Sequence, residues 1–192
     1  MSSWVLSALE RSLTASEPKT EMERVAGVAV VVTDEAESST LLIKRAERSG
    51  DPWSGQVAFP GGKFEHGDTS LRETAVREAK EEVGLDLRLG SEFLGYAGAF
   101  RTHLGSMDVF PSVFLLRSRS EINPNEEVTS FKWVPWSRIT DPSAITSFRV
   151  HGEGTDLEMP ALKVDDYVIW GLTHRILTTL LGLEGGSNPL PR

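Results

Sequence analysis

The sequence predicts an α/β (α+β) fold, an α/β/α sandwich on a mixed central sheet, and three observations point there. Apolar residues follow two periods: short β-branched runs such as VAGVAVVVTD, and stretches with an apolar side chain every three or four positions. Their order along the chain is helix, strands, helix, strands, helix, which layers helices against a sheet. The 192 residues, 39% hydrophobic and 25% charged, can bury about 70% of their unfolded surface in one core.

The first residues, MSSWVLSALERSL, put Val5, Leu6, Leu9 and Leu13 on one side of a short amphipathic helix. Glu10 and Arg11 stand where a signal peptide would continue its apolar stretch. Residues 14–24, polar and broken by Pro18, form a linker. VAGVAVVVTD reads as a strand buried on both faces, and TLLIKRAE as a second strand after the acidic turn Glu35–Ser39. Arg48 to Gly62 is a glycine- and proline-rich loop, and residues 70–83 have helical spacing. Strands follow within 86–100, 107–117 and 127–134, with turns at Thr102–Gly105 and Asn123–Asn125. Ser137–Asp141 forms a short helical turn, and residues 142–165 show only weak alternation. Asp165 or Asp166 caps a last helix, DYVIWGLTHRILTTLLGL, closed by Gly185 and Gly186. The expected organisation is an N-terminal helix and linker over 1–23, a single domain over 24–186 and a flexible tail over 187–192.

Charge and composition exclude several functions. With 20 Lys+Arg against 28 Asp+Glu, the net charge of -8 argues against nucleic-acid binding, which needs a basic face. With no cysteine there is no disulfide scaffold, zinc–thiolate site, iron–sulfur cluster or cysteine nucleophile. The longest apolar run, Val25 to Val32, is too short to span a bilayer. A soluble cytoplasmic protein is expected, with neither nucleic acid nor membrane as partner. Its charge would repel an anionic substrate unless metal ions or local Lys and Arg reverse the field.

The chemistry concentrates in GGKFEHGDTSLRETAVREAKEEVGL, residues 61–85. Thr69 or Ser70 is placed as N-cap, Glu73 completes a capping box, and Gly84 is a natural stop. At about 100° per residue, Glu78, Glu81 and Glu82 share one face, beside an apolar stripe of Leu71, Ala75, Ala79 and Val83. Like charges at this spacing destabilise by roughly 0.2–0.5 kcal/mol per pair, so the face calls for cations. Mg²⁺ or Mn²⁺ meets that need, taking carboxylate oxygens and a backbone carbonyl that Gly61 or Gly62 can bring close. EAKEE alone would be a solvated acidic face; glycine pair, spacer, Arg-Glu and Glu-Glu-x-Gly together are far more specific.

FPGG followed by REAKEEVGL resembles the Nudix box, the signature of hydrolases that cleave nucleoside diphosphates linked to another moiety. The resemblance implies the Nudix fold over most of residues 24–183 and a Mg²⁺ or Mn²⁺ cofactor. By motif position, Gly61, Glu78, Glu81 and Glu82 are the metal-binding set and Arg77 orients the glutamates. Glu78 and Glu81 are the catalytic pair, Glu78 as base, and Glu127 is a second candidate base because several Nudix enzymes recruit a downstream carboxylate. Asp68 takes the position of the first Glu of the box, but eight residues (69–76) rather than seven separate it from Arg77. The extra residue belongs in the loop before the helix, and no role follows for Asp68.

LLIKRAERSGDPWSGQVAFPGGK is similar to the motif before the box in coenzyme A pyrophosphatases, as are the longer box and IWGLTHRIL near the C-terminus. Ile43 stands where that motif has Thr, and GDPWS replaces its Arg-containing spacing. The substrate this implies is coenzyme A or an acyl-coenzyme A, cut at the diphosphate by in-line water attack. Another nucleoside diphosphate derivative of the ADP-ribose type, a nucleoside triphosphate, and a non-catalytic nucleotide-sensing role stay open. The complete glutamate set speaks against the last. Nudix relatives are often dimers, so a homodimer is implied by resemblance alone.

Arg45 and Lys63 are the substrate-binding candidates, since arginine clamps phosphate bidentately; Lys44 and Arg48 rank behind them. Trp53 either stacks on a nucleobase or anchors its loop, while Trp133, Trp136 and Trp170 read as core. Arg101 and His103 lie at a strand end within substrate reach. Ser54, His103 and Asp108 form no readable triad. His66 is close to the glutamates, yet a hard cation prefers oxygen, and His151 and His174 have no visible partner.

Overall fold

The computed structural model describes residues 3–19, 24–51, 53–102, 107–152 and 155–183. β1 (Val25–Thr33) is the central strand, and its apolar run is divided between two cores. Ala29 and Val31 face one helix layer, and Val30 and Val32 face the other. Around it lie β2 (Ser39–Arg45), β3 (Val57–Ala58), β4 (Gly61–Lys63), β5 (Ser91–Tyr96), β6 (Phe100–Arg101), β7 (Asp108–Leu116) and β8 (Val128–Pro135). The path is β3-β2-β1-β7-β5, with β4 on β1, β6 on β7 and β8 on β2. β1 and β7 run parallel from Val25 opposite Asp108 to Thr33 opposite Leu116, and the other pairs are antiparallel, so the sheet is mixed as expected.

α2 (Leu71–Val83) covers one face. Ser70 Oγ accepts the Glu73 amide at 3.1 Å, and Gly84 closes the helix at φ 71, a left-handed conformation that favours glycine. Leu71, Ala75, Ala79 and Val83 are fully buried, as the spacing predicts. Leu71 and Val83 each contribute about 1.5–3 kcal/mol from burial. The helix therefore cannot rotate, and the glutamate face is fixed relative to the sheet.

The opposite face is covered by α1 (Ser3–Ser12) and α4 (Gly171–Leu180) through Val5, Leu9, Ile176, Leu177 and Leu180. α3 (Trp136–Ile139) follows β8. A second sheet, β9 (Ile145–Gly152), β10 (Thr155–Val164) and β11 (Tyr167–Trp170), shares this layer.

Several expectations are corrected. The Arg48–Gly62 loop contains β3 and the start of β4, and 86–100 divides into a turn, β5 and β6. Residues 142–165 form the β9–β10 hairpin after a 3-10 turn at Pro142–Ala144. Asp165 and Asp166 cap no helix: they turn β10 into β11, Asp165 at φ 55. Tyr167 and Ile169 are fully buried while Val168 and Trp170 are half-buried, a two-residue period that makes YVIW a strand. The helix begins only at Gly171, without a side-chain cap. Gly185, Gly186 and the 187–192 tail lie outside the described residues. Among the described residues, no helix is long and apolar enough to cross a membrane.

Candidate active site

Glu78 and Glu82, one turn apart on α2, point toward β4. Glu82 is 2% exposed, and its Oε2 accepts the Gly61 amide at 2.8 Å. A Cβ on Gly62 would overlap the Glu78 carboxylate, so glycine here lets that carboxylate rest against β4 where a side chain would push it aside. Glu81 shares the face but is turned outward and exposed. Arg77 gathers the set: Nη1 lies 2.9 Å from Glu78 Oε1 and 3.0 Å from Glu81 Oε2, and Nη2 donates to the Lys63 carbonyl at 3.0 Å.

What fixes Arg77 is Asp68, the residue to which sequence reasoning gave no role. Its Oδ1 accepts Arg77 Nε at 3.0 Å and its Oδ2 accepts Nη2 at 3.1 Å, a bidentate pair. Thr74 Oγ1 (2.9 Å) and the Glu65 amide (3.0 Å) also donate to Asp68 Oδ2. The spacing of the box hid this contact, because the loop from 65 to 70 folds back and absorbs the extra residue.

Charge in this wall is strained. Burial pushes the Glu82 carboxyl up to about 7; the Gly61 amide opposes the shift, Glu78 and Glu127 add to it, and Arg45 opposes. Burial also raises Glu78, against Arg77 and with Glu81 and Glu127. At Asp68 burial works upward but is outweighed by Arg77, the Glu65 amide and Thr74, so that carboxyl lies below its usual range.

The facing wall comes from the end of β2, the loop to β3 and the turn before β8. Arg45 Nη2 pairs with Asp51 Oδ2 at 3.0 Å, and Nη1 lies 3.7 Å from Glu82 Oε1. Arg48 Nη1 holds Glu127 Oε1 at 2.9 Å. Arg45, Trp53, Gln56, Phe59, Lys63 and Thr102 help line a cavity of about 200 Å³ that also touches Gly61 and Gly62. Arg45 and Lys63 are thus brought to the glutamates and Glu127 close to them; Lys44 is exposed on the strand behind. Thr102, just after β6, and Leu172, in α4, carried no signal in sequence because neither motif nor period marks them.

Other weighed residues fall away. Ser54 Oγ accepts the Arg48 amide at 2.8 Å and Asp108 pairs with Arg101, so neither serves a triad; His103 lies outside the described residues. Trp136 is buried and Trp170 stacks on Phe148, whereas His66 is exposed. His174 is buried, which pushes its pKa down.

Among the described residues, no three acidic or histidine side chains converge as a ready metal cage; Arg77 and the Gly61 amide occupy the carboxylates instead. The donors still fit a hard divalent cation. All are oxygens, and the anionic forms of Glu78 and Glu82 are disfavoured by burial and by each other, which a bound cation offsets.

A family model described as the NUDIX domain matches residues 23–150. The chain is 32% identical over 169 residues to a Yersinia pestis (strain Pestoides F) protein named "Uncharacterized Nudix hydrolase NudL", covering 88% of this chain and 83% of that one. The NudL of Yersinia pseudotuberculosis serotype O:1b (strain IP 31758) matches to the same extent. Among solved structures, a MutT/nudix family protein from Enterococcus faecalis superposes with a TM-score of 0.51 at 17% identity, covering 84% of this chain and 62% of that one.

Proposed function

The chain belongs to the Nudix hydrolase family, and from that premise we propose that it cleaves the diphosphate of coenzyme A or an acyl-coenzyme A with Mg²⁺ or Mn²⁺ bound. One observation carries the choice of substrate. The segment that resembles the motif of coenzyme A pyrophosphatases, residues 41–63, supplies Arg45, Trp53, Gln56, Phe59 and Lys63 to the cavity beside the glutamates. The part of the chain that reads as substrate-specific thus lies where a substrate must enter.

In this reading Glu78, Glu81, Glu82 and the Gly61 carbonyl would hold the metal, which would supply Lewis-acid charge and make a water more acidic. Glu78, buried against β4, accepts the proton of the attacking water. Arg77, clamped by Asp68, keeps Glu78 and Glu81 in place. Arg45 and Lys63 bind phosphate oxygens and offset the overall charge of -8. Trp53 packs against the base or the pantetheine arm.

A product assay on purified protein tests this, with Mg²⁺ or Mn²⁺, EDTA controls, coenzyme A, dephospho-coenzyme A, ADP-ribose and nucleoside triphosphates. Preferred release of adenosine 3′,5′-bisphosphate from coenzyme A is expected. Preference for ADP-ribose or a triphosphate would discard the substrate and keep the reaction. Tight nucleotide binding without turnover would replace the enzyme with a sensor.

A further inference from the structure

We infer that Asp51 is a positioning residue for substrate phosphate: it holds Arg45 in the cavity wall. The inference rests on the proposed hydrolase reading, because it takes the cavity as the substrate site.

Three observations converge on it. Asp51 Oδ2 binds Arg45 Nη2 at 3.0 Å while its Oδ1 accepts the Trp53 amide at 3.0 Å, so one carboxylate ties the cation and the aromatic of the wall together. Its side chain is 18% exposed, and the Arg45 side chain 26%. Second, Arg45 is held from three sides: Asp51 on Nη2, Glu82 3.7 Å from Nη1, and its own backbone amide on the Gln56 carbonyl at 3.0 Å. Third, Arg45 Nε is buried and has no hydrogen-bond partner, in a side chain that lines the cavity. A buried guanidinium N–H without an acceptor is costly, and a turn of the guanidinium toward an anionic oxygen in the cavity would remove that cost.

The loop is built to hold this arrangement. The Asp51 and Ser54 amides bond to the Arg48 and Asp51 carbonyls at 3.3 and 3.1 Å, and the Gln56 amide to the Trp53 carbonyl at 3.2 Å. Burial acts to raise the Asp51 pKa, but the Trp53 amide and Arg45 outweigh it, so the carboxylate stays charged at neutral pH. Asp51 falls in GDPWS, the stretch that departs from the motif of coenzyme A pyrophosphatases. Arg45 without this anchor would be free to fold onto Glu82.

Asp51→Asn is the test, because an amide oxygen can still accept the Trp53 N–H while the charge facing Arg45 is lost. KM for the preferred substrate is expected to rise about tenfold, with kcat within about threefold, and Asp51→Glu to recover part of the loss. Ser54→Ala, which releases the Arg48 amide in the same loop, is expected to leave KM unchanged; an equal rise there would make the effect one of loop order and overturn the assignment. Kd for inorganic pyrophosphate with Mg²⁺, read by calorimetry, separates the two layers. If the wild type turns nothing over but Asp51→Asn weakens pyrophosphate binding about tenfold, positioning stands and the hydrolase reading fails. Turnover with KM and pyrophosphate Kd both unchanged in Asp51→Asn sinks the positioning role alone. A wild type that neither cuts the substrates nor binds pyrophosphate overturns both.

Discussion

The two walls of the site hold charge differently. On the helix wall a single guanidinium, Arg77, is shared among Asp68, Glu78 and Glu81, and the buried Glu82 has only the Gly61 amide and a distant Arg45. On the loop wall Arg45 pairs with Asp51 at 3.0 Å and Arg48 with Glu127 at 2.9 Å, Glu126 lying 3.8 Å from Arg48. The helix wall is therefore in surplus of negative charge, and the loop wall is close to balance. A surplus held at fixed positions suits a cation; balanced pairs, which an incoming phosphate can rearrange, suit an anion. This difference supports the proposal that the metal and the substrate phosphates bind on opposite sides of one cleft.

The largest effect should follow from removing the surplus. Glu82→Gln and Glu78→Gln each replace one carboxylate by an amide of nearly the same shape. We expect kcat to fall by about 10² or more while circular dichroism and melting temperature show an intact fold. In Glu82→Gln the new side-chain carbonyl can still accept the Gly61 amide, so a loss there reports lost charge rather than a lost strand contact. Unchanged turnover in both variants would remove the metal from this wall.

The next effect is smaller, because Asp68 acts through Arg77. Asp68→Asn should lower kcat about tenfold with little change in KM, as expected for a group that supports metal ligands from behind. It should also cost about 2 kcal/mol of stability at pH 7 in urea denaturation. The sign follows from the lowered pKa. A carboxyl that ionises more readily in the folded state stabilises it above the unfolded pKa, and that stabilisation disappears as pH falls through the folded value. Variant and wild type should therefore converge as pH falls through the folded-state pKa, which lies below the usual carboxylate range. A gap that persists there would mean the hydrogen bonds, not the charge of Asp68, hold the loop.

The glutamate face was legible in sequence, and on the loop wall Arg45, Arg48, Trp53 and Glu127 stood out as residue types. The groups that hold them, like Asp68 behind Arg77, did not, for physical reasons. Glu78, Glu82, the buried stripe and both caps are set by 3.6-residue geometry within one segment, so spacing alone places them. Thr102 and Leu172 reach the cavity, and Asp51 reaches Arg45, only through chain reversals and strand pairings between distant segments. The same division runs through the fold. β1 and α2 were read from unbroken periods, but YVIW, four apolar residues before a helical pattern, has no period long enough to separate a strand from a helix start. Only the left-handed turn at Asp165 and the buried Tyr167 and Ile169 make it a strand.

On the loop wall, Trp53→Ala tests whether the balanced side contacts the non-phosphate part of the substrate. Trp53 lines the cavity but makes no ion pair, so its loss should raise KM for coenzyme A about fivefold and leave pyrophosphate binding unchanged. A matching loss of pyrophosphate affinity would show that the indole only supports Asp51 and Arg45.

The smallest effect is expected at Glu127, and it decides which wall does the proton chemistry. Glu127 is close enough to raise Glu78 and Glu82 electrostatically, yet its own carboxylate is 41% exposed and held by Arg48 at 2.9 Å. A general base must have a carboxylate free to take a proton inside the cleft; Glu78 lies against β4 there, whereas Glu127 is solvated and already held by Arg48. Glu127→Gln should accordingly change kcat by less than about threefold, and the pH profile of kcat/KM should keep its acidic limb where it lies in the wild type. A fall of about 10² with loss of that limb would move the base across the cleft, and Arg48 would then be a latch released when substrate binds.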